Sequence, residues 1–233
     1  QGTLDSALLA IADAVEAQAD EIMAANKLDL DKSGDYNVPQ TMIDRLTLTP
    51  SRISQMAEGV RQVAAIESPV GSVIETIARP NGLVIEKRAV PFGVIGIIFE
   101  ARPNVTIDAG VLCLKTANAT ILRGGKEAFH TNQIIVSIMR NTLETLGITP
   151  DAIQLVEVLD RDMVGVLLHQ REYIDVVIPR GGAGLIRRVV DESSIPVIET
   201  GSGVCHTFVD EYANLDMALE IAINAKVQRP SVC

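Results

Sequence analysis

From Pro91 onward the apolar residues arrive in short, nearly unbroken runs separated by longer amphipathic stretches, and this alternation constrains the fold more than any other feature of the chain. Phe92–Phe99, Ala119–Leu122, Ile153–Leu159, Ile174–Pro179 and Ile195–Thr200 read as strands, with His206–Asp210 as a further one. Thr106–Ala117, Glu127–Leu146 (closed by Gly147), Arg161–Gln170 and Gly184–Val190 read as helices, and Leu215–Val227 is the last, capped by Asn214. Strands that are continuous apolar runs, rather than alternating ones, belong in a parallel sheet covered on both faces. Right-handed crossovers between them give an α/β, doubly wound parallel sheet.

Ahead of this region lie two helices and a hairpin. Leu8, Ile11, Ala12, Val15, Ala19 and Ile22 recur at three- and four-residue steps, one face of a helix capped by Asp5 or Ser6 and broken by the polar stretch Asp29–Asn37. Thr49 and Pro50 open a second helix, whose apolar face is Ile53, Met56, Ala57, Val60, Val63 and Ala64. Ser72–Ala78 and Leu83–Val90 flank Arg79-Pro80-Asn81-Gly82, a tight-turn sequence between two β-rich arms. The second arm carries Glu86-Lys87-Arg88, too polar for burial on both faces, so the hairpin is expected to lean on a neighbouring domain or subunit.

Composition excludes several functions. Of 233 residues 47% are apolar and 21% charged, which supports a sizeable core and rules out disorder. A net charge of −10 repels a phosphate backbone, and aromatics at 3% with no Trp supply no stacking platform, so no nucleic-acid partner is expected. The longest apolar run, Ala89–Phe99, is interrupted by Pro91, Gly93 and Gly96 and falls short of the roughly 20 residues a membrane span needs. Gln1–Asp5 shows no secretion signal, the three cysteines form no Cys-x-x-Cys pair, and the three histidines are far apart. The expectation is a soluble, cytoplasmic protein without a metal. Position 1 is not Met and the chain stops at Cys233, which reads as a fragment.

In such a sheet, ligands sit where strands run into helices. Three of these loops stand out: Glu100-Ala101-Arg102-Pro103-Asn104-Val105, Arg123-Gly124-Gly125-Lys126 and Arg180-Gly181-Gly182-Ala183-Gly184. Two diglycine loops flanked by cations, each leading into a helix, are what a phosphate site needs: close backbone N–H groups, a helix start and a neutralising charge. Neither matches G-x-G-x-x-G or the P-loop pattern, and either one alone would read as a tight turn. Which nucleotide they would hold is left open. Among the cysteines, Cys113 lies in an apolar helix and reads as core. Cys205 and His206 would point to opposite faces of a strand, which excludes a dyad. Cys233 falls in a loop after Arg229, where a thiolate could be activated. Asn104 could cap the helix it precedes or donate to an oxyanion.

The same residues resemble a known family. Val90-Pro91-Phe92-Gly93-Val94-Ile95-Gly96, Phe99-Glu100-Ala101-Arg102-Pro103-Asn104-Val105-Thr106, Cys113-Leu114-Lys115-Thr116-Ala117-Asn118-Ala119 and Ile121-Leu122-Arg123-Gly124-Gly125-Lys126-Glu127 are similar to γ-glutamyl phosphate reductases, within the aldehyde dehydrogenase superfamily. Ile178-Pro179-Arg180-Gly181-Gly182-Ala183-Gly184-Leu185 and Asn224-Ala225-Lys226-Val227-Gln228-Arg229-Pro230-Ser231-Val232-Cys233 extend the similarity in the same order.

The resemblance implies NADPH-dependent reduction of L-glutamate 5-phosphate to L-glutamate 5-semialdehyde and phosphate, in proline biosynthesis. It makes Cys233 the nucleophile, forming a thioacyl intermediate, and gives Asn104 the oxyanion-stabilising role, by role rather than by strict register. Arg123, Gly124, Gly125 and Lys126 replace the superfamily's Lys-Pro-x-Glu segment, and Lys126 in place of the ribose-binding acid favours NADP(H). Gly181 and Gly182 fall at the pyrophosphate turn, and Glu199 becomes a cofactor-side residue. Residues 1–227, with the hairpin at 72–90, would form the NADP-binding domain, and 228–233 the start of a truncated catalytic domain. A homo-oligomer is implied, with glutamate 5-kinase as a candidate partner. Two rivals remain: a CoA-acylating dehydrogenase and a non-catalytic nucleotide-binding fragment. A protein ending at Cys233 is expected to bind dinucleotide weakly, to self-associate and not to turn over.

Overall fold

The apolar runs after Pro91 become a four-stranded parallel sheet in a computed structural model, which describes residues 2–36, 38–199, 201 and 203–228. Residues 1–200 form one compact unit and 201–233 another. The first begins with helices α1 (Gly2–Ala17), α2 (Ala19–Asp31), α3 (Gln40–Leu46) and α4 (Pro50–Ala65). The hairpin strands β1 (Val73–Ala78) and β2 (Val84–Arg88) follow. Then β3 (Val94–Phe99), α5 (Pro103–Lys115), β4 (Ala119–Arg123), α6 (Phe129–Thr145), β5 (Ile153–Leu155), α7 (Asp162–Leu168), β6 (Val176–Arg180) and α8 (Ala183–Glu192) alternate. The second unit contains α9 (Leu215–Val227), whose first turn is capped by the Asn214 side chain accepting from Met217 N–H at 3.1 Å.

The sheet order is β5-β4-β3-β6. The chain steps from β3 to β4 to β5 and then returns to lay β6 on the other side of β3, so the winding reverses between β3 and β6. Each face has its own core. Ile95, Ile97 and Phe99 of β3 join Ile107 and Val111 of α5 and Ile135 and Met139 of α6. Ile98 points the other way, to Val164, Leu167 and Leu168 of α7 and Val189 of α8. This is the doubly wound arrangement expected from the apolar runs.

The amino-terminal helices add an outer layer. Leu8, Ile11 and Val15 of α1 and Ile53, Ala57 and Val60 of α4 pack into the larger core. Thr49 caps α4 by accepting from Arg52 N–H at 3.2 Å, with Pro50 in the first turn. Lys115, 4% exposed, ties the end of α5 to this layer: its ammonium donates to Ala64 O at 2.8 Å and to the Asp5 carboxylate. The largely polar helix α2 is held by hydrogen bonds. Buried Asp29 accepts from His130 N–H (3.0 Å), Thr131 N–H (2.8 Å) and Thr131 Oγ1 (2.6 Å), capping the start of α6. Asn26 donates to Leu46 O and accepts from Leu48 N–H, both at 2.8 Å. At the foot of β3, Gly93 has φ of +117°, and a Cβ there would lie 2.2 Å from the Asp175 carboxylate that accepts Val94 N–H. No other residue fits this corner.

Several local expectations are corrected. The single helix expected through Ile22 is two, because the chain bends at Gln18. Its start at Gly2 leaves Asp5 and Ser6 inside the helix, where Ser6 Oγ donates to Gly2 O instead of capping. Helix α3, at seven residues, is too short to show a period. The strand expected over Ile153–Leu159 pairs only as far as Leu155. That over Ile195–Thr200 is reduced to one bridge, Val177 with Val197, since Pro196 has no N–H to extend a ladder. His206–Asp210 forms no strand: β-propensity without a partner does not make one, and the opposite-face argument about Cys205 and His206 falls with it. Asn37 and Thr200 lie outside the described residues.

The hairpin registers Ile77 with Ile85 and Ala78 with Val84, and every residue of both strands is exposed, including Ile74 and Val84. Cys113 is core as expected, and burial pushes its thiol up to about 11. An unfolded thiol titrates near 8.5, so the stability held by this group is whole below about pH 8.5 and declines as pH rises toward 11. Urea midpoints should therefore drop across that interval in the wild type more than in Cys113→Ala. In the native protein iodoacetamide should modify the exposed Cys205 and spare Cys113.

Candidate functional site

The carboxyl ends of β3 and β6, where the winding reverses, form the crevice at which open α/β sheets bind ligands. Register pairs Ile98 with Arg123 and Phe99 with Arg180, so the three loops singled out in the sequence emerge side by side. Glu100 N–H donates to Arg180 O at 3.3 Å, and the Glu100 carboxylate lies across the glycine turn, accepting from Gly182 N–H at 3.1 Å.

A Cβ at these glycines would press on close neighbours. A Cβ on Gly181 would lie 2.7 Å from Glu100 Cδ and 2.8 Å from Leu185 Cδ2. One on Gly124 would lie 2.2 Å from Asn132 Nδ2 and 3.1 Å from the Phe99 ring, and one on Gly125 3.2 Å from Ala101 N. Asn132 is itself fixed, accepting from Thr106 Oγ1 at 2.7 Å. Gly182 is the N-cap of α8, so its N–H faces the positive end of a ten-residue helix. Glu100 occupies this donor.

The two cations of the first diglycine loop differ. Arg123 is 7% exposed, and its guanidinium donates to the carbonyls of Gly124, Leu159 (3.2 Å) and Asp160 (3.2 Å). Its Nε is buried without a hydrogen-bond partner, and burial lowers its pKa against the opposing pull of Glu127. Arg123 thus staples the loop to the turn before α7. Lys126, half-buried, holds its ammonium 4.4 Å above the centroid of the Tyr36 ring.

Asn104 is exposed in the first turn of α5, whose N-cap is Arg102, so the capping alternative is corrected. Its Nδ2 donates to Asp108 Oδ2 at 3.1 Å. Burial raises the Asp108 carboxyl, opposed by that hydrogen bond and by the charge of Arg180. Glu199 is exposed just after the bridge at Val197. Cys233 lies outside the described residues, while Cys205 is exposed in the second unit. Among the described residues no His, Cys, Asp and Glu cluster could hold a metal, and no helix is long and apolar enough to cross a membrane.

Sequence reasoning assigned no role to Glu100, although its place directly after a strand at the crevice was a usable signal. Tyr36, far from Lys126 in the chain and set in a polar turn, offered none.

No family model matches the chain. It is 54% identical over 229 residues to the γ-glutamyl phosphate reductase of Proteus mirabilis, covering 98% of this chain and 55% of that protein. The crystal structure of γ-glutamyl phosphate reductase from Thermotoga maritima superposes with a TM-score of 0.89 at 42% identity, covering 99% of this chain and 56% of that one. An acetylating aldehyde dehydrogenase from Geobacillus thermoglucosidasius, at 18% identity and TM-score 0.69 over 97% of this chain and 47% of its own, shares the fold. The chain is thus homologous to γ-glutamyl phosphate reductases, with an aldehyde dehydrogenase-like fold, and spans about half the length of the relatives it matches.

Proposed function

We propose that this chain is the cofactor-binding part of a γ-glutamyl phosphate reductase, which converts L-glutamate 5-phosphate to L-glutamate 5-semialdehyde and phosphate with NADPH. Residues 1–227 form the NADP-binding domain in this reading, and 228–233 open the catalytic domain. The observation that carries it is the pair of glycine turns at the carboxyl ends of β6 and β4, on either side of β3, one offering a helix-start N–H at Gly182 and the other a cation at Lys126.

The residues fit a dinucleotide. Gly181 and Gly182 expose backbone at the turn, and a pyrophosphate would take over the Gly182 N–H from Glu100. Gly124 and Gly125, braced by Arg123, carry Lys126 to the adenosine ribose, where an ammonium suits a 2′-phosphate as a carboxylate would not. Glu199 completes the cofactor side. When bound, the nicotinamide supplies hydride. The Cys233 thiolate attacks the acyl phosphate carbon, the C–O bond to phosphate breaks, and the acyl group remains on sulfur. Asn104, its amide held by Asp108, donates its second N–H to the oxygen that becomes negative. Cys233 would then leave the reduced acyl carbon as thiolate, the C–S bond breaking as the aldehyde forms.

In this reading the enzyme is cytoplasmic and a homo-oligomer. Glutamate 5-kinase, as source of the acyl phosphate, is its natural partner.

The test uses the full-length protein in the oxidative direction, with glutamate semialdehyde and NADP. Phosphate-dependent NADP reduction with no response to CoA is expected, and CoA dependence without phosphate would identify a CoA-acylating enzyme instead. Lys126→Glu should weaken NADPH by roughly 1–3 kcal/mol, the scale of one charge-assisted hydrogen bond, and leave NADH nearly unchanged. Equal losses for both cofactors in a fluorescence titration would remove Lys126 from the 2′-phosphate site.

A further inference from the structure

Lys126 does not project freely into solvent. Its ammonium lies 4.4 Å from the centroid of the Tyr36 ring, within the range of a cation–π contact. The turn carrying Tyr36 is tied to the same region of the fold on which Lys126 sits. Asp29, at the end of α2, caps α6 through the N–H groups of His130 and Thr131, four and five residues beyond Lys126. Lys32 Nζ lies 3.1 Å from His130 Nε2, and Val38 N–H closes the turn onto Ser33 O at 3.1 Å. The backbone of the turn that carries Tyr36 is therefore held by contacts independent of Lys126.

Geometry of this kind has a definite effect on a cation. A lysine side chain has four carbons of rotational freedom, and much of it is lost when the ammonium binds a ligand. A ring face takes one side of the ammonium and restricts that freedom in advance, leaving the remaining N–H donors available for an anion. Tyr36 needs only its ring for this.

We propose that Tyr36 is a positioning residue for cofactor selectivity: its ring holds the Lys126 ammonium where the 2′-phosphate of NADP(H) is read. This rests on the assignment of Lys126 to that phosphate. Tyr36 acts through Lys126 and touches neither the acyl group nor the nicotinamide.

The experiment is a double-mutant cycle in the full-length protein, reading Kd for NADPH and NADH together with the thermal midpoint. Tyr36→Leu should raise the NADPH Kd about two- to fivefold, the fold-change equivalent of an exposed cation–π contact, with NADH unchanged. Tyr36→Phe should retain wild-type selectivity. In a Lys126→Gln background, Tyr36→Leu should have no further effect on NADPH. If Lys126→Gln leaves the NADPH to NADH ratio as in wild type, the phosphate assignment itself fails. If Lys126→Gln abolishes selectivity while Tyr36→Leu preserves it, the assignment stands and the role of Tyr36 is overturned. Equal weakening of both cofactors by Tyr36→Leu also overturns it, because a general wall of the site would act on both. A lowered thermal midpoint with selectivity intact assigns Tyr36 to stability alone and overturns it as well.

Discussion

In the full-length protein, Cys233→Ala is expected to abolish reduction of the acyl phosphate while NADPH still binds. Loss of a nucleophile that carries the covalent intermediate costs on the order of 10⁴–10⁶-fold in rate. A serine in its place should fare little better, because its hydroxyl is a far weaker nucleophile at neutral pH than a thiolate. The other two cysteines give the contrast. Cys205 is exposed, and Cys205→Ala should retain turnover. Cys113 is buried in α5 with Thr120 as its polar neighbour, and Cys113→Ser should lower stability without removing the chemistry, since a more polar hydroxyl replaces the thiol in the core. Stopped-flow measurement of phosphate release in a single turnover tests all three. Loss of the burst in Cys205→Ala with its persistence in Cys233→Ala would move the nucleophile to Cys205.

The largest effect on folding is expected from Asp29→Ala. One buried carboxylate accepts from two backbone N–H groups and a hydroxyl at the start of α6, at 2.6–3.0 Å. Alanine leaves those donors without their acceptor and opens a small cavity, costing about 2–4 kcal/mol by comparison with other lost caps and charged hydrogen bonds. Asp29→Asn should be milder, because its amide oxygen still accepts from one donor. Urea denaturation of the three proteins at one pH gives the comparison. A loss below about 0.5 kcal/mol in Asp29→Ala would mean that water replaces the cap at little cost.

How much of this was legible in the residues differs between the parallel core and its surroundings. Phe92–Phe99 and Ala119–Leu122 were readable because both faces of β3 and β4 are covered, which forces an unbroken apolar run. Thr49-Pro50 and Asn214 marked their helices because capping is a local hydrogen bond. Helix α2 was not readable as a separate element: its anchors, Asn26 and Asp29, are polar residues buried by partners about 20 and 100 positions away. The sixth expected strand failed for the opposite reason, as local propensity at Thr207, Phe208 and Val209 found no neighbour to pair with. At the candidate site, glycine pairs and flanking cations revealed where the loops converge. They could not reveal that Arg123 spends its donors on carbonyls, or that Glu100 lies over the second turn, because both depend on how far each side chain reaches after folding.

The two cores on either side of the sheet are unequal, and the turn at Gly181 and Gly182 belongs to the weaker side. The larger core unites α1, α4, α5 and α6 with the sheet, whereas α8 contributes only Val189 as a buried residue to the smaller one. Segments with little buried apolar area open and reclose at a free-energy cost well below that of global unfolding. In the proposed site, the helix whose amino end would face a phosphate packs on the smaller core, whereas the Lys126 loop is rooted between β4 and α6 on the larger one. A dinucleotide gripped at both loops would bridge a steady half and a restless half of one sheet. Part of its binding energy would then go into quieting α8, so that affinity at this site is coupled to the local order of the chain as well as to the contacts made.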